Sequence, residues 1–152
     1  MTSHRKFWWL AGSLVCVLGA PAGAAEHTVH MLNTSKTGQG NMVFEPAFLK
    51  VAVGDTVVFK PTDKGGHNSV STFLPPGAKA WKSGTDAELK VVIEKEGVYL
   101  YECFPHRVMA MVGVIQAGKP TNLADAKAAA DKAKTAFAMN KDRLDKALSQ
   151  VQ

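Results

Sequence analysis

Val98-Tyr99-Leu100-Tyr101-Glu102-Cys103 and Met111-Val112-Gly113-Val114-Ile115-Gln116-Ala117 are two β-rich runs joined by Phe104-Pro105-His106-Arg107-Val108-Met109-Ala110. Both runs read as strands, and the short connection between them is dense in donor atoms. From Tyr101 to Met111 it offers one thiol, one imidazole and two thioethers. Soft sulfur suits cuprous copper and imidazole suits both of its oxidation states, so the mixture points to one copper ion. A trigonal pair of His with one Cys, plus a weak long bond from Met, needs a second His. His67 supplies it, in the loop Lys64-Gly65-Gly66-His67-Asn68 between two strand-like runs. The candidate metal ligands are therefore His67, Cys103, His106 and Met111. Two other readings compete: a buried small hydrophobe beside an unrelated histidine, and a nucleophilic Cys–His pair. Neither explains the clustered methionines.

Working outward, the chain alternates and breaks repeatedly. His27 to Leu32 reads as a strand, and apolar character resumes at Met42-Val43-Phe44 before Pro46 interrupts it. Phe48 to Val53 and Thr56 to Lys60 flank a Gly54-Asp55 turn signal and are expected to be a hairpin or neighbours. Asn68 to Phe73 is a further run, and the region around Trp81 carries no clear signal. Leu89, Val91 and Ile93 share one face, with Lys90 and Glu94 on the other. About seven or eight short strands predict a mainly β fold, a Greek-key sandwich or flattened barrel with loops gathered at its ends.

The two ends of the chain differ from this body. His4, Arg5 and Lys6 precede an apolar run from Phe7 to Gly19, and Ala22-Gly23-Ala24 follows. That is the pattern of a cleaved secretory signal peptide over 1–24, too short in its apolar part to span a bilayer. Its removal takes Cys16 away and leaves Cys103 as the single cysteine of an exported protein, where a free thiol is a liability unless buried or coordinated. The body then runs over 25–118. Beyond Lys119-Pro120, residues 119–152 are rich in helix formers. Asn122 and Asn140 are the expected caps of two helices. Their apolar positions, Leu123, Ala126, Ala130, Ala133 and Phe137, then Leu144, Leu148 and Val151, are expected to pack on the sheet, with Asp142, Arg143 and Lys146 facing away. Without Arg5 and Lys6 the chain carries 16 basic and 13 acidic residues, a net +3. That excess is too small for nucleic-acid binding. Lys36, Lys64, Lys79, Lys82 and Arg107 are expected around the metal and Glu94 and Glu96 at the far end, a dipole that would steer association.

Met42-Val43-Phe44-Glu45-Pro46, Gly54-Asp55-Thr56-Val57, Gly66-His67-Asn68, and Cys103-Phe104-Pro105-His106 with Met111 together resemble the cupredoxins, the type 1 blue copper proteins. The two trailing helices are similar to those of the pseudoazurin branch. The resemblance runs from about Glu26 to the C-terminus. It implies one copper held by His67, Cys103, His106 and Met111, with Asn68 stiffening the site and Met42 near the exposed imidazole. It decides between Met111 and Met109 by the spacing of eight from Cys103 and by the apolar strand that follows directly. It also implies a periplasmic, monomeric electron carrier and no enzyme. Its partners would be transient redox proteins: a cytochrome c-type donor and a denitrification reductase such as copper nitrite reductase, or another reductase. No stable membrane contact is implied. Electrons would leave at the His106 edge, inside an apolar rim of Met42, Phe44, Pro105, Met109, Pro75 and Pro76. Three departures from the family pattern stand out: Glu102 where Lys is common, the paired Gly65-Gly66, and Phe104 with Arg107 around His106. The competing function is a copper chaperone or store, although such proteins favour Met-rich or multi-Cys sites.

Overall fold

The computed structural model describes residues 23–152. Cys16 and all of the expected signal peptide except its last two residues lie outside them. The strands in chain order are β1 (Glu26–Thr34), β2 (Asn41–Glu45), β3 (Phe48–Val51), β4 (Thr56–Pro61), β5 (Val70–Phe73), β6 (Leu89–Val92), β7 (Gly97–Glu102) and β8 (Val112–Ala117), followed by helices α1 (Leu123–Lys134) and α2 (Arg143–Leu148). Two mixed four-stranded sheets, ordered β2-β1-β4-β6 and β3-β8-β7-β5, face each other as the expected mainly β sandwich.

Strand alternation sorts the side chains. In the parallel pair of β1 and β4, Val29 stands opposite Phe59 and His27 opposite Val57. Val29 and Met31 enter the space between the sheets together with Val57 and Phe59. On β7, Tyr99 and Tyr101 point into the same space, and the parity of the strand delivers Cys103 there as well. Their neighbours Val98 and Leu100 face the opposite way, into a second cluster beneath the helices. Both faces of β7 and β8 are therefore buried. Tyr101 is the pivot of the inner core, with ring centroids 4.8 Å from Phe44 and 4.9 Å from Phe59. A Cβ at Gly113 would lie 2.2 Å from the Tyr101 ring, so β8 must carry glycine where that ring crosses it. Trp81, silent in the sequence, fills one edge of the core at 5.7 Å from Phe59 and donates its indole N–H to Ser69 Oγ at 3.0 Å.

Two expectations are corrected. The runs either side of Gly54-Asp55 are not neighbours: β3 pairs with β8 in one sheet, and β4 pairs with β1 and β6 in the other. The turn crosses between layers because the Asp55 carboxylate accepts the N–H of both Ala52 and Ala25, tying its own loop to the start of β1. Asn122 does stand immediately before α1, as expected, but its side chain does not cap the helix. Its amide pairs instead with the backbone N–H and C=O of Val98, docking the helix start on β7. Likewise the residue before α2 is Asp142 rather than Asn140, which bonds Met109 O through its side chain. The tail buries Phe137, Leu144 and Leu148 against β7 and β8. At about 1.5–3 kcal/mol per large apolar side chain, these hold the tail, and the Lys134–Asp145 and Lys146–Asp142 pairs, screened by water, add little. Among the described residues no helix is long and apolar enough to cross a membrane.

Candidate metal centre

His67, Cys103 and His106 converge at one end of the sandwich, each offering a donor atom within 4.8 Å of the others. The loop after β4 brings His67, the end of β7 brings Cys103, and the connection to β8 brings His106. His67 is fully buried. Its backbone N–H donates to Asp86 Oδ1 at 2.8 Å, that of Gly66 donates to Oδ2 at 3.1 Å, and Asp86 N–H returns to His67 O at 2.7 Å. This clasp fixes the loop. The imidazole Nε2 lies 2.8 Å from Asn33 Oδ1. An amide oxygen only accepts, so Nε2 carries the proton and Nδ1 keeps a bare lone pair. Nδ1 is buried with no hydrogen-bond partner, a costly condition for a polar atom unless a ligand satisfies it. Burial, followed by the nearby His106, pushes the His67 pKa down, which keeps the ring neutral and its lone pair free.

Gly65 makes this possible. A Cβ there would sit 2.0 Å from Asn33 Oδ1 and 2.8 Å from His67 Nε2, so glycine at position 65 lets the supporting amide reach the ring.

Cys103 is buried, and its Sγ lies 3.3 Å from His106 Nδ1 and 3.5 Å from the Asn68 N–H. Asn68 also accepts the Phe104 N–H at 2.8 Å through its side chain. One residue thus staples the His67 loop to the Cys103 loop, as the resemblance implied. Burial pushes the thiol pKa up, the opposite of what an activated nucleophile needs. A cation would displace that proton, so the donor set fits a thiolate-binding metal. Neutral imidazoles and one thiolate in a water-poor pocket suit copper.

Met111 is fully buried in the same cluster as Cys103, whereas Met109 is half-exposed in a short 3₁₀ turn over Arg107–Met109. The backbone of Met111 is bracketed by both partners: its C=O accepts the Cys103 N–H at 2.9 Å and its N–H meets His106 O at 3.4 Å.

The expected rim and charge ring need correction. Phe44 is a core residue against Tyr101, because its parity on β2 turns it inward. Pro75 is buried against Gly97, at the opposite end of β7 from Cys103. The exposed apolar residues flanking His106 are Pro105, as expected, with Phe104 at 59% and Val108 at 55%, and the backbone N–H of Met139 in the tail donates to Val108 O. Lys79 pairs with Glu94, away from the site. Glu102 is only 4% exposed and forms an ion pair with Arg107, whose guanidinium lies 4.9 Å above the Phe104 ring. The departure at Glu102 is therefore an internal pair. Asn33 and Asp86 are missing from the sequence reading, and Arg143, expected to face away from the sheet, instead reaches back to the carbonyls of Met42 and Ala110; ordinary polar residues carry no local signal of a partner so far along the chain.

Residues 29–118 match the family described as copper binding proteins, plastocyanin/azurin family. The chain is 40% identical over 146 residues to a pseudoazurin of Paracoccus pantotrophus, covering 93% of this chain and 94% of that one. Among solved structures it resembles the native pseudoazurin of Hyphomicrobium denitrificans, at 40% identity and a TM-score of 0.70, covering 84% of this chain and 98% of that one. It also resembles the pseudoazurin of Methylobacterium extorquens AM1, at 38% identity and a TM-score of 0.69, covering 84% and 99%.

Proposed function

The chain belongs to the plastocyanin/azurin family of copper-binding proteins, in its pseudoazurin branch, and on that premise we propose that His67, Cys103, His106 and Met111 hold its copper. It is an electron carrier with one type 1 copper and not an enzyme. Bound copper supplies a one-electron change between its cuprous and cupric states, with no bond made or broken in a substrate. The protein's own work is to hold donors still. Asn33 and the Asp86 clasp orient His67, Asn68 joins the two loops at Cys103, and the inner core seals the thiol from water.

The observation that carries this reading is the orphaned Nδ1 of fully buried His67 beside Cys103 and His106. Half-exposed His106 is the exit for the electron, framed by Phe104, Pro105 and Val108. A carrier that turns over quickly needs a small, weak contact. Lys36, Lys64 and Lys82 are exposed and make no ion pair among the described residues, so they are free to steer encounter. The partners we assign are a cytochrome c-type donor and a denitrification reductase such as copper nitrite reductase, met in the periplasm by a monomer. Export would remove 1–24, leaving the body at 25–118 with 119–152 as its helical extension.

The test is the visible spectrum of the purified protein, oxidised and then reduced. An intense thiolate-to-copper charge-transfer band toward the red that bleaches on reduction is expected. A protein that stays colourless after copper is added, with a titratable thiol, would sink the assignment.

A further inference from the structure

Four non-glycine residues among those described adopt left-handed backbone: Met42 at φ 50°, Asp86 at φ 49°, Ala110 at φ 55° and Asn140 at φ 53°. Such conformations cost energy and persist only where surrounding structure enforces them. Asp86 holds the His67 loop. The other three meet at a single side chain, Arg143 of α2, or at its neighbour's contact. Arg143 Nη1 donates to Met42 O at 2.9 Å and to Met109 O and Ala110 O at 3.2 Å each. Its Nη2 donates to Gln39 O and Asn41 O at 2.9 Å each. Asn140 donates to the same Met109 O at 3.2 Å, and Ala138 N–H to Val108 O at 2.8 Å.

The guanidinium is half-buried and forms no ion pair among the described residues, since adjacent Asp142 is engaged by Lys146. Five carbonyl oxygens from two loops balance its charge instead. One segment, 39–42, spans the end of a loop and the start of β2. The other, 108–110, runs between His106 and Met111. A planar fork with five donors can serve both loops at once, which an ammonium cannot.

We propose that Arg143 is a positioning residue for the metal centre, clamping the chain between His106 and Met111 in its strained form from the C-terminal helix. This rests on the ligand assignment above. The tail is then a wall of the site, and the Met109–Ala110 turn is held by a residue 33 positions further along.

The test compares Arg143→Ala, Arg143→Lys and, as a control at an exposed position of α1 that forms no ion pair among the described residues, Lys127→Ala. In the metal-free proteins, amide exchange at Met109, Ala110 and Met111 should be tenfold or more faster in Arg143→Ala, with Tyr99 and Ile115 unchanged. In the copper-loaded proteins the same variant should release copper to a chelator tenfold or more faster, with altered visible band ratios and a shifted potential. Arg143→Lys should fall between, and Lys127→Ala should match wild type. A groove of about 380 Å³ lined by Gln39, Ala110 and Arg143 leaves the vacated position reachable, so millimolar guanidinium should restore Arg143→Ala. Exchange, spectrum, potential and release all like wild type would overturn the clamp, as would equal acceleration at Tyr99 and Ile115. If Arg143→Ala fails to fold, Arg143→Lys carries the same comparison. A colourless wild-type protein would overturn the copper assignment, while exchange would still decide the clamp.

Discussion

Gly65→Ala is the smallest change that should disturb the centre without touching a donor residue. The added Cβ would lie 2.0 Å from Asn33 Oδ1, 3.1 Å from Asn33 Cγ and 2.8 Å from His67 Nε2. The imidazole is fully buried and cannot retreat, whereas Asn33 sits half-exposed on β1 and can swing toward water. Asn33 therefore yields, and its 2.8 Å contact with His67 is lost. A buried donor left without a partner costs about 1–3 kcal/mol. The backbone of position 65 lies outside the left-handed region, so replacing glycine returns about 0.4–1 kcal/mol through the unfolded chain. The net loss should be roughly 1–2 kcal/mol. Asn33→Ala removes the same hydrogen bond, so the double variant should be no less stable than either single one. Denaturant unfolding of the four metal-free proteins measures this as a coupling of about 1–3 kcal/mol, the cost of the one shared bond. Additivity within about 0.5 kcal/mol would refute the reasoning, because it would mean that Gly65 and Asn33 do not act through one bond.

Met111→Gln should retain copper and lower the reduction potential, since a harder axial oxygen favours the cupric state; cyclic voltammetry showing no change would move that role to Met109. Arg107→Ala leaves the buried Glu102 carboxylate without its partner. The loss should be about 1–3 kcal/mol, below the range for a fully buried pair because Arg107 is partly in water. Urea unfolding should show most of it recovered in the Glu102→Gln/Arg107→Ala double variant, and no recovery would disprove the pair's role. The N–H groups of Ala25 and Ala52, and then His27, hold the Asp55 pKa down at about 2. A depressed carboxyl stabilises the fold above its unfolded value, near 3.9, and that stability is lost as pH falls through about 2. Thermal melts between these values should lose this acid-dependent component in Asp55→Asn, and an unaltered profile would count against the contact.

Much of the sandwich was legible because its signals are local. The alternation of Leu89, Val91 and Ile93 requires only a half-buried strand, and the core brings Ile93 to full burial as expected. The partition of β3 and β4 into different sheets was not legible. A Gly-Asp pair between two apolar runs looks the same whether the chain folds back or crosses over, and the decision lies with Asp55 bonding to Ala25, 30 residues earlier. Trp81 was silent for a related reason. Its segment makes one isolated bridge, from Val70 to Lys82, and is held by side-chain bonds to Ser69 and Ser71. Phe44 and Pro75 were misplaced on the rim because loop proximity was inferred without the parity of β2 or the direction of β7.

The sequence by itself determined the donor types, their spacing within one loop, the need for His67 from elsewhere and the helical character of the tail. Those follow from ligand chemistry and from periodicities carried by adjacent residues. Only the tertiary structure decided what holds the donors in place: the Asn33 amide on His67, the Asp86 clasp, the glycine that admits that amide and the Arg143 fork across two loops. Apart from the glycine, each rests on hydrogen bonds between segments 19 to 104 residues apart. Such contacts depend on how the strands are packed and on nothing periodic in the chain, so they become visible only when the two sheets have met.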